Sequence, residues 1–95
     1  MDLKTTIEMM QSDDYKERFK AEYHQTKIRY ERLKKLNTQI EAAERAIFCP
    51  PNRAGTTMTM PNHDCPADLL RQQQSIMGEY LHILEVRAEI EGIVL

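Results

Sequence analysis

From Asp14 to Phe48 the chain contains no glycine and no proline. A run of that length, dominated by good helix formers and free of breakers, points to one long helix. Tyr15, Phe19, Tyr23, Thr26, Tyr30, Leu33, Asn37, Ile40, Glu44 and Ile47 recur at alternating spacings of three and four. A seam with a period near 3.5 is the mark of a helix that pairs with other helices along its length. At ~1.5 Å per residue, a helix over 14–48 is about 50 Å long. Thr26, Asn37 and Glu44 are polar positions within the seam. A buried asparagine there fixes register or oligomer state at some cost in stability. The "SDD" at 12–14 supplies cap residues. Asp14 and Glu17 have the spacing of an acidic capping box, with Ser12 or Asp13 as alternative caps.

Pro50 disfavours helix at Cys49, so the long helix ends there. Residues 49–65 read as a loop bracketed by Cys49 and Cys65, with an alternating "TTMTM" that suits a short strand or arm. A second helix is predicted over 66–91. Pro66 suits its first position and Asp68 its first turn, and Gly92 is its stop. Its apolar residues form two adjoining stripes. One runs Leu70, Met77, Leu81, Leu84, Ala88; the other runs Leu69, Ile76, Tyr80, Ile83, Ile90. Residues 92–95 are an apolar tail. In the N-terminal segment 1–12, Leu3, Ile7 and Met10 have the spacing of a short helix.

Two long helices and one connection predict an all-α fold: an antiparallel two-helix hairpin with a short N-terminal helix. Charge agrees with that pairing. From Ser12 to Lys35 eight basic and five acidic residues give +3, and from Asp64 to Leu95 two basic and six acidic residues give −4. The apolar face of the second helix is too wide for one partner helix to cover. A wet stripe of that size marks an interaction surface. The expected outcome is assembly into a helical-bundle oligomer, a four-helix dimer or larger; the alternative cover is the N-terminal segment.

A chain of 95 residues makes a single domain. Two cysteines are too few for a disulfide scaffold. The first residues lack the pattern of a signal peptide, and no apolar run approaches the ~20 residues of a membrane span. A net charge of −2 gives no overall basic character for nucleic acid. Glycine-rich phosphate loops, G-x-S-x-G and H-E-x-x-H are missing, so no enzyme is expected. Cys49, His63 and Cys65 have poor zinc spacing, and a Cys49–Cys65 disulfide across the loop is conceivable only if their Cα atoms come within roughly 4.4–6.8 Å. No cofactor is expected. The most suggestive run is "YHQTKIRYERLKK" at 23–35. Tyr23 and Tyr30 offer rings for stacking, and Lys27, Arg29 and Lys34 offer cations for phosphate. Arg53 in the loop adds a further polar contact. The competing reading makes the tyrosines seam residues and the cations a solvated face.

"YKERFKAEYHQTKIRYERLKKL", followed by an ending of the form C-P-x-x-L-L-x-x-Q, M-x-x-Y-L-x-x-L, R-A-x-I-E-G-I-x-L, resembles the small phage and prophage proteins labelled crAss-phage-related. The ending is carried here by Cys65, Pro66, Leu69, Leu70, Gln73, Met77, Tyr80, Leu81, Leu84, Arg87, Ala88, Ile90, Glu91, Gly92, Ile93 and Leu95. The resemblance implies a phage origin and action in the cytoplasm of a bacterial host, and it brings no catalytic residues. By analogy with small helical phage proteins, the expectation is a homo-oligomer that counters host defence. It would sequester a small nucleotide signal, a cyclic nucleotide or ADP-ribose derivative, without turning it over. The ligand-binding set is Tyr23, Lys27, Arg29, Tyr30, Lys34 and Arg53. The alternatives are an adaptor that offers its apolar helical face to a host protein, and nucleic-acid binding through the basic half of the first helix.

Overall fold

The computed structural model describes residues 1–46 and 59–95. Their regular structure is all helical: α1 (Leu3–Met10), α2 (Tyr15–Ala46) and α3 (Ala67–Glu91), with no strand among the described residues. Cys49, Arg53 and the start of the "TTMTM" run lie outside them, and with them any Cys49–Cys65 pairing and the Arg53 contact.

Asp2 starts α1, its carboxylate accepting the Thr5 N–H at 2.8 Å. That bond holds the Asp2 carboxyl below its ordinary range. The covered residue of α1 is Thr6, which is 0% exposed and donates its hydroxyl to the Leu3 carbonyl at 2.6 Å. Ile7 and Met10, two of the residues whose spacing marked this helix, are exposed; Leu3 and Met9 are half-buried. A short polar residue whose hydroxyl is satisfied within its own helix can face a closely packed neighbour.

Of the candidate caps before α2, Asp14 acts. Its carboxylate accepts the Lys16 N–H at 3.0 Å, and its own N–H donates to Ser12 Oγ at 3.1 Å. The Arg18 guanidinium donates to the Ser12 carbonyl at 2.7 Å and ties the turn down.

α2 packs against both other helices, on different sides. Ala21 is 0% exposed, yet it lies about 200° around the helix from Phe19, the seam residue two positions before it. Half-buried His24, Gln25 and Ile28 share its side. The Met1 amino group acts on His24, which places the start of the chain near this side.

The opposite side of α2 meets α3. Phe19, Tyr23, Leu81, Leu84, Ala88 and Ile93 form the core cluster, with Tyr30 packed against it. Burying each large side chain contributes about 1.5–3 kcal/mol. Polar contacts mark the order of approach. Tyr15 Oη donates to Glu91 at 3.3 Å, Tyr23 Oη to Glu85 at 2.8 Å, and Asn37 Nδ2 to Gln74 Oε1 at 2.8 Å and the Leu70 carbonyl at 3.1 Å. Positions rise along α2 as they fall along α3. Arg87 lies over the Phe19 ring, 4.9 Å from its centroid, while its guanidinium holds Glu91 at 2.8 Å.

The stripe of α3 that faces α2 is Leu70, Met77, Leu81, Leu84 and Ala88, all buried or half-buried. The adjoining stripe of Leu69, Ile76, Tyr80, Ile83 and Ile90 is exposed, Ile90 to 80%. Gly92 closes the helix at φ +70°, a conformation other residues adopt only with strain. The turn lets the Ile93 N–H reach the Ala88 carbonyl at 2.9 Å and buries Ile93 beside Phe19. No helix among the described residues is long and apolar enough to cross a membrane.

Candidate ligand-binding groove

Tyr23 and Tyr30 sit a heptad apart on the α3-facing side of α2, and they have different fates. Tyr23 is 4% exposed. Its ring meets the edge of His24 at 5.2 Å between centroids, and the Lys27 ammonium lies 5.7 Å from its centroid. Its hydroxyl, bonded to Glu85, is pushed up to about 12 by burial first and by the Glu85 carboxylate second. Tyr30 stays half-buried, because the facing position on α3 is Gly78. A Cβ on Gly78 would meet Tyr30 Cε2 at 3.5 Å. Glycine in a helix interior costs roughly 0.5–1 kcal/mol against alanine, and here it leaves space over a ring.

That space is a groove of about 250 Å³ lined by Tyr23, Lys27, Tyr30, Glu31, Gly78, Leu81 and Glu85. A second groove of about 500 Å³ lies beyond the Tyr23–Glu85 bond, floored by Ala88 and walled by Glu89 and the chain from Gly92 to Leu95. The two share Tyr23 and Glu85, which form the saddle between them. Small-molecule sites commonly occupy about 300–1,000 Å³.

The site residues expected from sequence do not all converge. Tyr23, Lys27 and Tyr30 line the groove. Lys34 follows Lys27 by seven residues, so it continues the same side of α2. Arg29 lies about 200° around the helix from Lys27. It is seven residues from Glu22, which accepts the Tyr80 hydroxyl, and so belongs to the side of the exposed α3 stripe. The Tyr23 hydroxyl is taken by Glu85, which also lines the groove. Sequence reasoning missed Glu31, Gly78, Leu81 and Glu85. Gly78 carried a signal: a lone glycine inside a helical pattern flags a close approach or a functional gap.

The electrostatics follow from the lining. Lys27 is one cation against the carboxylates of Glu31 and Glu85, with Glu89 in the adjoining groove. The interior therefore suits hydrogen-bond donors, such as the amino edge of a base. Lys27 is the cation of the lining, and Lys34 lies two turns further along the same side of α2. His24, beside Tyr23, is held below its ordinary range by burial, and further by the Met1 amino group, Lys27 and Lys20. At the other end of the seam, His63 Nδ1 lies 2.6 Å from the Cys65 carbonyl and Cys65 is exposed.

The family model of Sequestin matches residues 55–90. The matched stretch takes in α3 to within one residue of its end, and with it the groove wall of Gly78, Leu81 and Glu85. Tyr23, Lys27 and Tyr30 on the facing wall lie before it. No curated protein and no solved structure matches the chain.

Proposed function

We propose that this protein is a sponge: it binds a nucleotide-derived immune signal and withholds it without turnover. The observation that carries the reading is the groove in which Tyr23, Lys27 and Tyr30 meet Gly78 and Glu85. The family name Sequestin suggests sequestration of a molecule and supports the same reading. The ligand's base enters over Gly78, with its amino edge at Glu85 and Glu31. Its phosphates lie toward Lys27 and Lys34. Candidate ligands are cyclic nucleotides and ADP-ribose derivatives. The setting is a phage-type protein countering defence in the cytoplasm of its bacterial host. α2 and α3 form an antiparallel hairpin, as their order of contacts suggests, and copies associate into a bundle. Arg29 and Arg53 complete the candidate ligand-binding set.

The test is thermal denaturation and calorimetry with a panel of cyclic nucleotides and ADP-ribose derivatives. A ligand held only by the native state raises stability by about 2.7 kcal/mol at a hundredfold excess over Kd. The expected result is one strong stabiliser, recovered chemically intact after denaturation and lost on Lys27→Glu. The reading fails if no panel member shifts the melt, or if the bound nucleotide is recovered cleaved.

The exposed stripe Leu69, Ile76, Tyr80, Ile83, Ile90 favours a second reading, an adaptor that presents this face to a host protein. Specific capture of one host protein by nucleotide-free material, abolished by Ile76→Glu, would favour it.

A further inference from the structure

The exposed stripe on α3 has an internal symmetry. Leu69, Ile76, Ile83 and Ile90 repeat at seven-residue intervals, and Tyr80 sits between the middle two. Read from either end of the helix, apolar residues fall at nearly the same positions about a centre beside Tyr80. The stripe spans ~32 Å of helix, about three turns on either side of that centre. An apolar band that long exceeds what an isolated surface helix leaves wet.

We propose that the occupant of this face is α3 of a second copy, running in the opposite direction about a two-fold axis beside Tyr80. This rests on the self-association in the sponge reading and specifies its interface. In this register Ile76 meets the second copy's Ile83, and Leu69 meets its Ile90. Leu69, Ile76, Ile83 and Ile90 then each face an apolar residue, Tyr80 and Glu79 meet beside the axis, and the same patch serves both copies, as a two-fold interface requires.

Charge separates this arrangement from the parallel one. Gln73 and Arg87 are the polar positions of the stripe, each seven residues from Tyr80. Parallel pairing sets Arg87 against the second copy's Arg87, two like charges at a contact position. Antiparallel pairing sets Arg87 beside the second copy's Gln72 and Gln73, amides that can accept its hydrogen bonds. Arg87 is already held by Glu91 and by the Phe19 ring, so it is poorly placed to swing away. Tyr80 is anchored likewise, its hydroxyl on Glu22. A contact surface with its central residues fixed in advance loses less freedom on association.

The pairing also gives Arg29 a place. It lies on the stripe's side of α2, near the height of the two-fold, since the adjacent Tyr30 packs on Gly78. Two copies thus bring two Arg29 guanidinium groups to the margin of one interface. An anionic part of a ligand is the natural partner for that pair.

The experiment uses the full chain with Cys49→Ser and Cys65→Ser, into which Ile76→Cys or Ile83→Cys is introduced. Under mild oxidation, a mixture of the two variants forms the mixed disulfide, while each alone stays largely uncrosslinked. Strong homodimeric crosslinking of Ile76→Cys alone indicates parallel pairing and overturns the proposal. In parallel, Ile76→Glu with Ile83→Glu, checked for retained helicity by circular dichroism, is sedimented beside the wild type. The expected weakening of association is roughly a hundredfold or more. Unchanged association of this variant means another face is used; that overturns the interface and leaves the sponge reading standing. A wild-type chain that stays monomeric at every concentration overturns the interface and the association together, and the nucleotide melts then decide separately whether a monomer is a sponge.

Discussion

The backbone of Gly78 lies over the ring of Tyr30 across the seam, so close that a single added carbon would meet Cε2 at 3.5 Å, Oη at 3.6 Å and Cζ at 3.7 Å. These are ordinary van der Waals distances. Gly78→Ala is therefore accommodated without displacing the ring, and it removes the helix penalty of glycine. The expected gain is about 0.5–1 kcal/mol, a rise in Tm of a few degrees. The same carbon occupies the groove, so nucleotide affinity falls as stability rises. Melting curves and calorimetry on one preparation check the opposed signs. If both properties rise together, the ligand does not sit over Gly78.

Tyr23 ties burial of a phenol to the charge of Glu85. Its pKa is pushed up from an ordinary 10.0 to about 12 in the folded chain. The stability its neutral hydroxyl supplies is complete below pH 10 and is lost as pH rises through about 12. Tyr23→Phe should cost about 1–2 kcal/mol at neutral pH and flatten the alkaline slope in that window. Denaturant titrations across the alkaline range measure both.

His24 gives the opposite sign at the other end of the pH scale. Burial, then the Met1 amino group, Lys27 and Lys20, lower its folded pKa from 6.5. The unfolded chain therefore takes up the proton first. Stability is intact above pH 6.5 and declines as pH falls from there through the folded value. His24→Gln should reduce that acid slope while leaving stability at pH 8 within about 0.5 kcal/mol. Paired acid titrations of wild type and variant isolate the histidine from the carboxylates that titrate lower.

Asn37 is the buried polar residue of the seam, and its two donor bonds go to α3, at Gln74 and the Leu70 carbonyl. Its Oδ1 is buried with no partner. Asn37→Asp replaces the donors with acceptors and is expected to lose about 1–3 kcal/mol at pH 7. Asn37→Leu removes both the bonds and the orphan oxygen, and should melt within about 1 kcal/mol of wild type. Thermal melts of the two variants check the contrast; equal losses would mean that packing, not hydrogen bonding, sets the value of this position.

The residues explain where sequence reading succeeds. The breaker-free run of α2 and the glycine after Glu91 have local causes, namely propensity and a left-handed φ, and local causes are visible in one dimension. Both stripes of α3 were likewise legible, because helical spacing alone defines them. Which stripe is covered was not, since Leu81 and Ile83 are similar in size and hydrophobicity; the approach of α2 distinguishes them. α1 misled for a related reason. Leu3, Ile7 and Met10 have helical spacing, but the fully buried residue of α1 is Thr6, whose hydroxyl is satisfied inside its own helix. At the groove, Tyr23 donates its hydroxyl to Glu85, sixty-two positions away. Pairing across that much chain leaves no mark in local composition.

α2 is the helix that both α1 and α3 contact. The central rod therefore works as a party wall. Substitutions in α1 alter how firmly the rod is held, while the groove is lined from α2 and α3 alone, so durability and ligand choice draw on different residues within one short chain.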